Sequence, residues 1–568
     1  MSDTTTATQG GVSTVDQPAP ARRTGGDVLV EVMRRHGIDT AFGVISIHNL
    51  PLVEAVARDL RFVEVRHEAA AVNAADAYAR ATGGIGVALT STGTGAGNAA
   101  GAMVEALTAG SRVLHVTGQI ESEFLGSNRG VIHEVPRQLQ MLEAVSSYAA
   151  TVLERDRVEE ELERAVEHIL QAPHGPASVE WPTDLQYLAS PENQLSFEPR
   201  PRRLEPVDES ALEEAVHLLR AAQRPLIWVG GGAAGAGEPL EELLRLVHGG
   251  LLTSNSGRGI VPEDHSQVIG NFASDPGVRD LLADADLLLS VGTHFRSNET
   301  KSYHLQLPTP HVQIDIDPAA LGRVHPADVA IQGDAYLVLN ALVERLDGTA
   351  AGPGWRTRVR ETRDKVREDL FAYIGGYADI CRGIREVLPR ESVVARDVTI
   401  PSSQWGNRLL EFYRRESNIF PVGGGIGQGL AMGIGASLGR PDVPTLVMAG
   451  DGGLAVHLGE LASLAGARPW CTVVVFNDGG YGVLRNMQAA NGFERHGVDL
   501  FTPNFGALAH SLDLPHWLVK DSVCFADALR EAVGTRGPAI IEVDVESLNP
   551  PPGPFVPPVH IPRDTEEA

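Results

Sequence analysis

Three cysteines in 568 residues, Cys381, Cys471 and Cys524, are too few and too widely spaced for a disulfide framework or a thiolate metal site. Sparse thiols fit a reducing compartment, and a cytoplasmic protein is expected. Positive charge is also scarce: 47 Lys and Arg face 73 Asp and Glu, a formal net charge of −26. That surplus repels phosphate backbones and anionic lipid, so neither nucleic acid nor a membrane is expected as a partner. No apolar run approaches the roughly 18 residues of a spanning helix. Residues 1–25 lack the apolar segment of a secretory signal, and Arg22-Arg23 is followed by Thr24-Gly25-Gly26-Asp27 where a twin-arginine signal turns apolar.

What is present is a globular composition, 43% hydrophobic and 21% charged, which can bury several cores and excludes disorder for most of the chain. The length suggests three or four domains. Near-continuous apolar runs at 87–90, 113–116, 226–229, 287–291, 312–316, 445–448, 473–476 and 540–543 alternate with helical stretches. This is the pattern of parallel strands covered by helices on both faces, an α/β fold repeated along the chain. Two stretches lack it: 187–206, with Pro191, Pro199, Pro201 and Pro206, and 347–355, rich in Gly and Ala. Read as linkers, they leave blocks of 26–186, 207–346 and 356–547, with a Pro-rich, acidic surface tail after Leu548.

Gly450-Asp451-Gly452-Gly453 directly follows the run at 445–449, and a second strand ends at Asn477-Asp478-Gly479-Gly480-Tyr481-Gly482. Alone, Gly-Asp-Gly reads as a turn. The pairing says more, because oxygen ligands at the ends of successive parallel strands can share one hard cation. Glycines there let main-chain N–H groups approach a phosphate.

With Asp451 and Asp478 27 positions apart, this pairing resembles the thiamine-diphosphate (ThDP) enzymes of the acetolactate synthase, pyruvate oxidase and benzaldehyde lyase type, whose motif is GDG followed at a like spacing by NN. The resemblance implies three doubly wound parallel-sheet domains: pyrimidine-binding, central and diphosphate-binding. It implies ThDP with Mg²⁺, the metal held by Asp451, Asp478 and the Gly480 carbonyl. Gly450, Gly452, Gly453, Tyr481 and Gly482 would surround the cofactor. Asp478 stands where the family has Asn; it keeps an oxygen ligand and adds a negative charge.

Arg66-His67-Glu68-Ala69-Ala70-Ala71 resembles the family's RHExxA element, whose glutamate hydrogen-bonds N1′ of the aminopyrimidine. A buried carboxyl there can share a proton with the ring. Gly93-Thr94-Gly95-Ala96-Gly97-Asn98 is similar to GPGATN, and Thr117-Gly118-Gln119 to TGQ. The segment 424–430 is similar to GTMGFGL, which implies Ile426 as the apolar wedge under ThDP and the Gly424 carbonyl as acceptor for N4′. Ser402 and Ser403, in the run 402–405 on the implied diphosphate-side loop, are phosphate candidates. His48, in the loop after Phe42-Gly43, and His133 are expected at the substrate cavity, where histidine can exchange protons near neutral pH. Leu484 and Met487, in 482–488, would line the same pocket.

Gln313-Ile314-Asp315-Ile316-Asp317-Pro318 and Gln332-Gly333-Asp334-Ala335 resemble the signature of the family's central domain. No G-x-G-x-x-G follows a strand there, although Gly230-Gly231-Gly232-Ala233-Ala234-Gly235 has some of the glycines. His294-Phe295-Arg296-Ser297-Asn298 stands where FAD-binding relatives carry an RFDDR-like segment, and a bound flavin is not expected.

The family places its cofactor between two subunits, so a homodimer or homotetramer is implied. The implied activity is a C–C bond lyase or carboligase acting on 2-oxo acids, hydroxy ketones or related acyl donors. Acetolactate synthases carry Phe-Gln where this chain has Ile132-His133, and a tryptophan near the place of Met487, so the substrate stays open. A simple 2-oxo-acid decarboxylase, a 2-hydroxyacyl-CoA lyase and a catalytically silent nucleotide-binding protein remain alternatives. Retention of Glu68 with Asp451 and Asp478 argues against the last.

Overall fold

A computed structural model describes residues 23–188, 207–346, 351–352 and 354–557. Most of the two expected linkers, Arg22 and the end of the acidic tail lie outside the described residues. Among those described, no helix is long and apolar enough to cross a membrane.

The described strands form three six-stranded parallel sheets with flanking helices, which is the α/β class expected. The first holds β1 (Thr40–Gly43), β2 (Arg61–Glu64), β3 (Gly86–Thr90), β4 (Val113–Gln119), β5 (Tyr148–Thr151) and β6 (Ala177–Pro182), in the order β2-β1-β3-β4-β6-β5. The second holds β7 (Pro225–Val229), β8 (Gly250–Thr253), β9 (Val268–Gly270), β10 (Leu287–Val291), β11 (His311–Asp315) and β12 (Val329–Gln332), in the order β12-β11-β10-β7-β8-β9. The third holds β13 (Val393–Arg396), β14 (Asn418–Ile419), β15 (Thr445–Gly450), β16 (Cys471–Asn477), β17 (His516–Val519) and β18 (Ala539–Asp544), in the order β14-β13-β15-β16-β18-β17. The first and third sheets therefore share one topology. Central strands such as β3, β4 and β10 are buried at every residue, because helices cover both faces and leave no polar side.

In each sheet the chain steps one way from its first strand and then crosses to the other side. Such reversals open a crevice at the carboxyl ends of the strands, where α/β folds bind ligands. The crevices lie between β1 and β3, β7 and β10, and β13 and β15. The Gly450-Asp451-Gly452 motif ends β15 beside the third crevice, and the Glu68 motif follows β2, one strand out from the first.

Two helices of small residues join the outer sheets. The Glu68 helix (Glu68–Thr82) buries eight alanines, and the Gly429 helix (Gly429–Gly439) buries all but its last residue. They pack so closely that a Cβ on Gly435 would stand 1.9 Å from the Ala74 carbonyl oxygen. Gly86 on β3 is as tight against the Ala75 carbonyl on the other side of the same helix. One apolar cluster consequently runs from Phe42, Val63 and Ala88 through both helices to Val447, Val473 and Ile540.

Gly435→Ala sets two effects against each other. Alanine improves helix propensity by about 1 kcal/mol. A methyl group 1.9 Å from a backbone oxygen forces the two helices apart, at ~1–3 kcal/mol or more. The clash wins, and denaturant unfolding should show net destabilisation; a variant as stable as wild type would refute the close packing.

Candidate active site

The first set of candidate residues gathers at the carboxyl ends of β1, β2, β3 and β4. Glu68 opens its helix, with His67 as N-cap accepting from the Ala69 amide at 3.2 Å. Asn98 Nδ2, one turn into the Thr94 helix (Thr94–Ala109), donates to Glu68 Oε2 at 3.0 Å. Gly95 of the same motif leaves room for Glu68, since a Cβ there would lie 3.0 Å from Oε1. Gly-x-Gly-x-Gly-Asn is thus a device for seating a carboxylate against a helix start.

Two further glycines admit the histidines. A Cβ on Gly93 would stand 2.4 Å from the His133 carbonyl oxygen, and one on Gly118 would stand 2.3 Å from that of His48. The two imidazoles meet edge to face, centroids 5.1 Å apart, and His133 Nδ1 lies 3.4 Å from Thr94 Oγ1. His133 adopts φ +66°, a conformation uncommon outside glycine. His48 is buried, and its Nδ1 has no hydrogen-bond partner among the described residues. Burial first, and then His133, pushes its pKa below the ordinary value, so it is neutral at pH 7.

A buried polar network fixes this corner. Gln138 Oε1 accepts from the Gly93 amide at 2.7 Å and from Thr92 Oγ1 at 2.9 Å. Its Nε2 donates to Glu180 Oε2 at 3.0 Å, which also accepts from Gln119 of the Thr-Gly-Gln motif at 3.1 Å. Gln138 and Glu180 carry no motif, and only the fold reveals them.

The second set lies at the carboxyl ends of β13, β15 and β16. Asp451 is fully buried and accepts from the Asp478 amide at 3.2 Å. Asp451 Oδ2 and Asp478 Oδ1 are buried without a hydrogen-bond partner among the described residues. Burial raises the pKa of both, and the neighbouring Asp451 charge helps push Asp478 up to about 6. Two carboxylates with free oxygens, destabilised as anions, form a donor set that a hard cation satisfies. The Gly480 carbonyl lies beside them, 2.7 Å from where a Gly452 Cβ would be, and the Tyr481 ring covers the same spot at 2.8 Å. Gly480 needs its φ of +147°, and Tyr481 N donates to the Val498 carbonyl, so residues 498–500 pin this turn. Gly482 starts a helix through Ala490 that carries Leu484, exposed, and Met487, half-buried.

Asp397, at the end of β13, connects this set to the glycine segment 424–430. Its carboxylate accepts from the amides of Gly427 and Gly429, each at 3.0 Å, and of Val398 at 2.7 Å. Gly453 faces the same carboxylate, and a Cβ there would stand 3.4 Å from it, while Gly450 lies beside Thr399. Full burial raises Asp397 to about 6 despite the three donors. Gly424 and Gly427, at φ +82° and +81°, bracket Ile426 and leave its side chain exposed. The position that singles out Asp451 in the sequence, a carboxylate at the end of an apolar strand, is shared by Asp397 on the neighbouring strand.

The run 402–405 is not an open loop: Ser402–Gly406 forms a π-helical turn. The Ser402 hydroxyl is buried without a partner among the described residues, and Ser403 is half-buried. Among the described residues, no hydrogen bond links Glu68, His48 or His133 directly to Asp451 or Asp478. The two sets are joined through flanking groups: the Arg66 amide donates to Glu460 Oε1 at 3.0 Å, and His67 stands against His457 at 5.1 Å between centroids, with His457 Nδ1 3.0 Å from the Gly427 carbonyl. At the middle crevice lies a cavity of about 680 Å³, lined in part by Gly230, Gly231, His294, Arg296 and Asp315.

Three family profiles match the chain: the thiamine pyrophosphate enzyme N-terminal TPP binding domain over 23–141, the central domain over 212–342, and the C-terminal TPP binding domain over 401–543. A probable 2-ketoarginine decarboxylase of Pseudomonas aeruginosa is 32% identical, over 92% of this chain and 94% of that protein. The acetolactate synthase isozyme 2 large subunit of Escherichia coli is 27% identical, over 92% and 96%. The pyruvate oxidase of Lactiplantibacillus plantarum is 26% identical, over 92% and 89%.

The buried imidazole has a pH consequence. With its folded pKa below the unfolded 6.5, His48 contributes stability present above pH 6.5 and lost as the pH falls through the folded value. His48→Gln removes that component. Between pH 7 and pH 5 the variant should gain melting temperature relative to wild type, followed by circular dichroism; parallel curves would refute a buried neutral imidazole.

Proposed function

This chain belongs to the thiamine pyrophosphate enzyme family and is a ThDP-dependent enzyme, and from that premise we propose that it makes or breaks a C–C bond next to a carbonyl, with a 2-oxo acid, hydroxy ketone or related acyl donor as substrate. The observation that carries the site assignment is the pair of partnerless buried oxygens, Asp451 Oδ2 and Asp478 Oδ1, beside the glycine cradle of 450–453.

In this reading Asp451, Asp478 and the Gly480 carbonyl would hold Mg²⁺, whose charge would offset the buried carboxylates and attract the phosphates of the cofactor. Amides of the 450–453 and 480–482 turns approach the same phosphates, and Ser402 offers its free hydroxyl. The Gly424 carbonyl and the Ile426 side chain would hold the pyrimidine side of the cofactor. Glu68, oriented by Asn98, shares a proton with the ring nitrogen. When bound, ThDP supplies a nucleophilic carbon and an electron sink. His48 and His133 exchange protons with the substrate, and Leu484 and Met487 shape its pocket.

Each half-site is incomplete alone, and exposed apolar side chains surround both: Ile45, Ile47 and Ile132 at the first, Ile426 and Leu484 at the second. This supports a homodimer or homotetramer in which one subunit's Glu68 set faces another's Asp451 set. The three sheets support three domains, proposed over 26–186, 207–346 and 356–547, with the helix Trp355–Tyr373 packed on the second sheet, where Trp355 Nε1 donates to the Pro225 carbonyl at 3.1 Å. The charge balance and free cysteines support a cytoplasmic enzyme. No flavin is assigned to the middle cavity. A second reading, decarboxylation without ligation, is favoured by the adjacent histidines, which suit protonation of a product, and by the 32% identity to a probable 2-ketoarginine decarboxylase.

Calorimetric titration of ThDP with Mg²⁺ into cofactor-stripped protein, then a 2-oxo-acid panel with products read by mass spectrometry, tests the proposal. Ligated products identify a carboligase and aldehyde alone a decarboxylase; absence of metal-dependent binding overturns the assignment. Asp451→Ala should weaken ThDP binding at least about 100-fold, and unchanged affinity would remove the metal role. Glu68→Gln should still bind ThDP while turnover falls about 10²–10⁴-fold; near-normal turnover would refute its part.

A further inference from the structure

The stretch leading into Gly424 is held by side chains from the other two domains. Glu105, on the Thr94 helix, is buried and accepts from two successive amides, Val422 N on Oε1 at 2.6 Å and Gly423 N on Oε2 at 2.7 Å. Arg80, near the end of the Glu68 helix, donates Nη1 to the Phe420 carbonyl at 2.7 Å and Nη2 to Glu105 Oε1 at 3.1 Å. Asp76, fully buried one turn back, accepts from Arg80 Nε at 2.8 Å, and Ser111 Oγ accepts from it at 3.1 Å. From the central domain, Arg296 Nη1 donates to the Val422 carbonyl at 2.6 Å, and its Nη2 to Thr108 O at 3.3 Å. Gly423 has no room for a side chain, because a Cβ would stand 2.9 Å from Glu105 Oε2.

A buried carboxylate that spends both oxygens on adjacent amides fixes the direction of that backbone, not only its position. Cα of Gly424 follows at once, and Ile426 two residues later. Past the wedge, Asp397 of the third domain grips Gly427 and Gly429. The bend at 424–426 is therefore suspended between two buried carboxylates from different domains.

We propose that Glu105 is a positioning residue for the cofactor: seated by Arg80, it sets the segment that presents the Gly424 carbonyl and the Ile426 side chain. This rests on the assignment of Gly424 and Ile426 to the cofactor. Glu105 touches no reacting atom. Glutamine at 105 keeps the shape but offers one acceptor oxygen and turns an amide NH₂ toward the second backbone N–H, so the segment loses one grip and gains a repulsion.

The test is a double-mutant cycle on the full chain, with ThDP and Mg²⁺ titrated calorimetrically into stripped wild type, Glu105→Gln, Ile426→Ala and the double variant. The near-ultraviolet circular dichroism of the bound cofactor is recorded for each. Glu105→Gln alone should raise the ThDP Kd about tenfold or more and alter the dichroic band. In the Ile426→Ala background the same change should raise it by a clearly smaller factor, because only the Gly424 carbonyl is left to place. An unchanged Kd in folded Glu105→Gln, or equal fold-changes in both backgrounds, overturns the proposal. If Ile426→Ala alone changes neither Kd nor dichroism, the assignment of the wedge falls, and the role of Glu105 with it. Should Glu105→Gln fail to fold, Arg296→Met, half-buried and on the central domain, replaces it in the cycle, and the same two results overturn the proposal.

Discussion

The contact on which the rest depends is the meeting of the Glu68 helix with the Gly429 helix. At its centre the contact is made of small residues, and Gly435 against the Ala74 carbonyl lets the backbones approach within a carbonyl's reach, while Tyr78 packs on Gly439 at the far end. Dispersion scales with such closeness, and the shared cluster buries apolar surface from both outer sheets in one core. Function follows from the same contact. The Glu68 helix bears the candidate proton-sharing carboxylate at its start and Arg80 near its end; the Gly429 helix begins where the wedge segment stops. Fixing the helices fixes both candidate half-sites.

Among the carboxylates around that core, Glu105, Asp397 and Asp451 are buried and Asp478 half-buried, and the environment of each differs. Glu105 is satisfied by a guanidinium and two amides, and Asp397 by three amides without a cation. Asp451 and Asp478 each keep an oxygen with no partner among the described residues, and they face one another. Two adjacent carboxylates that each keep a buried oxygen without a partner among the described residues are costly in the absence of a cation, and that cost marks the pair as the place for something the chain does not itself contain.

Much of this is legible in the residues. Strands bounded by glycine are readable because their apolar runs have no polar face, and Asp451 and Asp478 because each follows such a run. The segments at 66–71, 93–98 and 424–430 can be matched by their glycines and alanines, whose purpose, room for backbone, becomes clear only once Gly93, Gly95 and Gly118 have neighbours. Long-range relations are not legible. Nothing local says that sheets one and three share a topology, that Gln138 bonds the Gly93 amide, or that Glu105 meets Val422, since each depends on partners tens to hundreds of positions away. The turn at 402–406 reads as a loop in the sequence because five residues with two serines carry too little periodicity to reveal a π-helix.

The helix contact also has a consequence for how the chain is made. The Glu68 helix is finished early, but its partner is encoded about 350 residues later, so at ~5–20 residues per second a ribosome needs on the order of 20–70 s to deliver it. Through that interval the alanine-lined face of the first domain has no cover of its own. Translation speed across the middle of the message, and the availability of a chaperone that shields weakly apolar surfaces, thereby enter the yield of active enzyme.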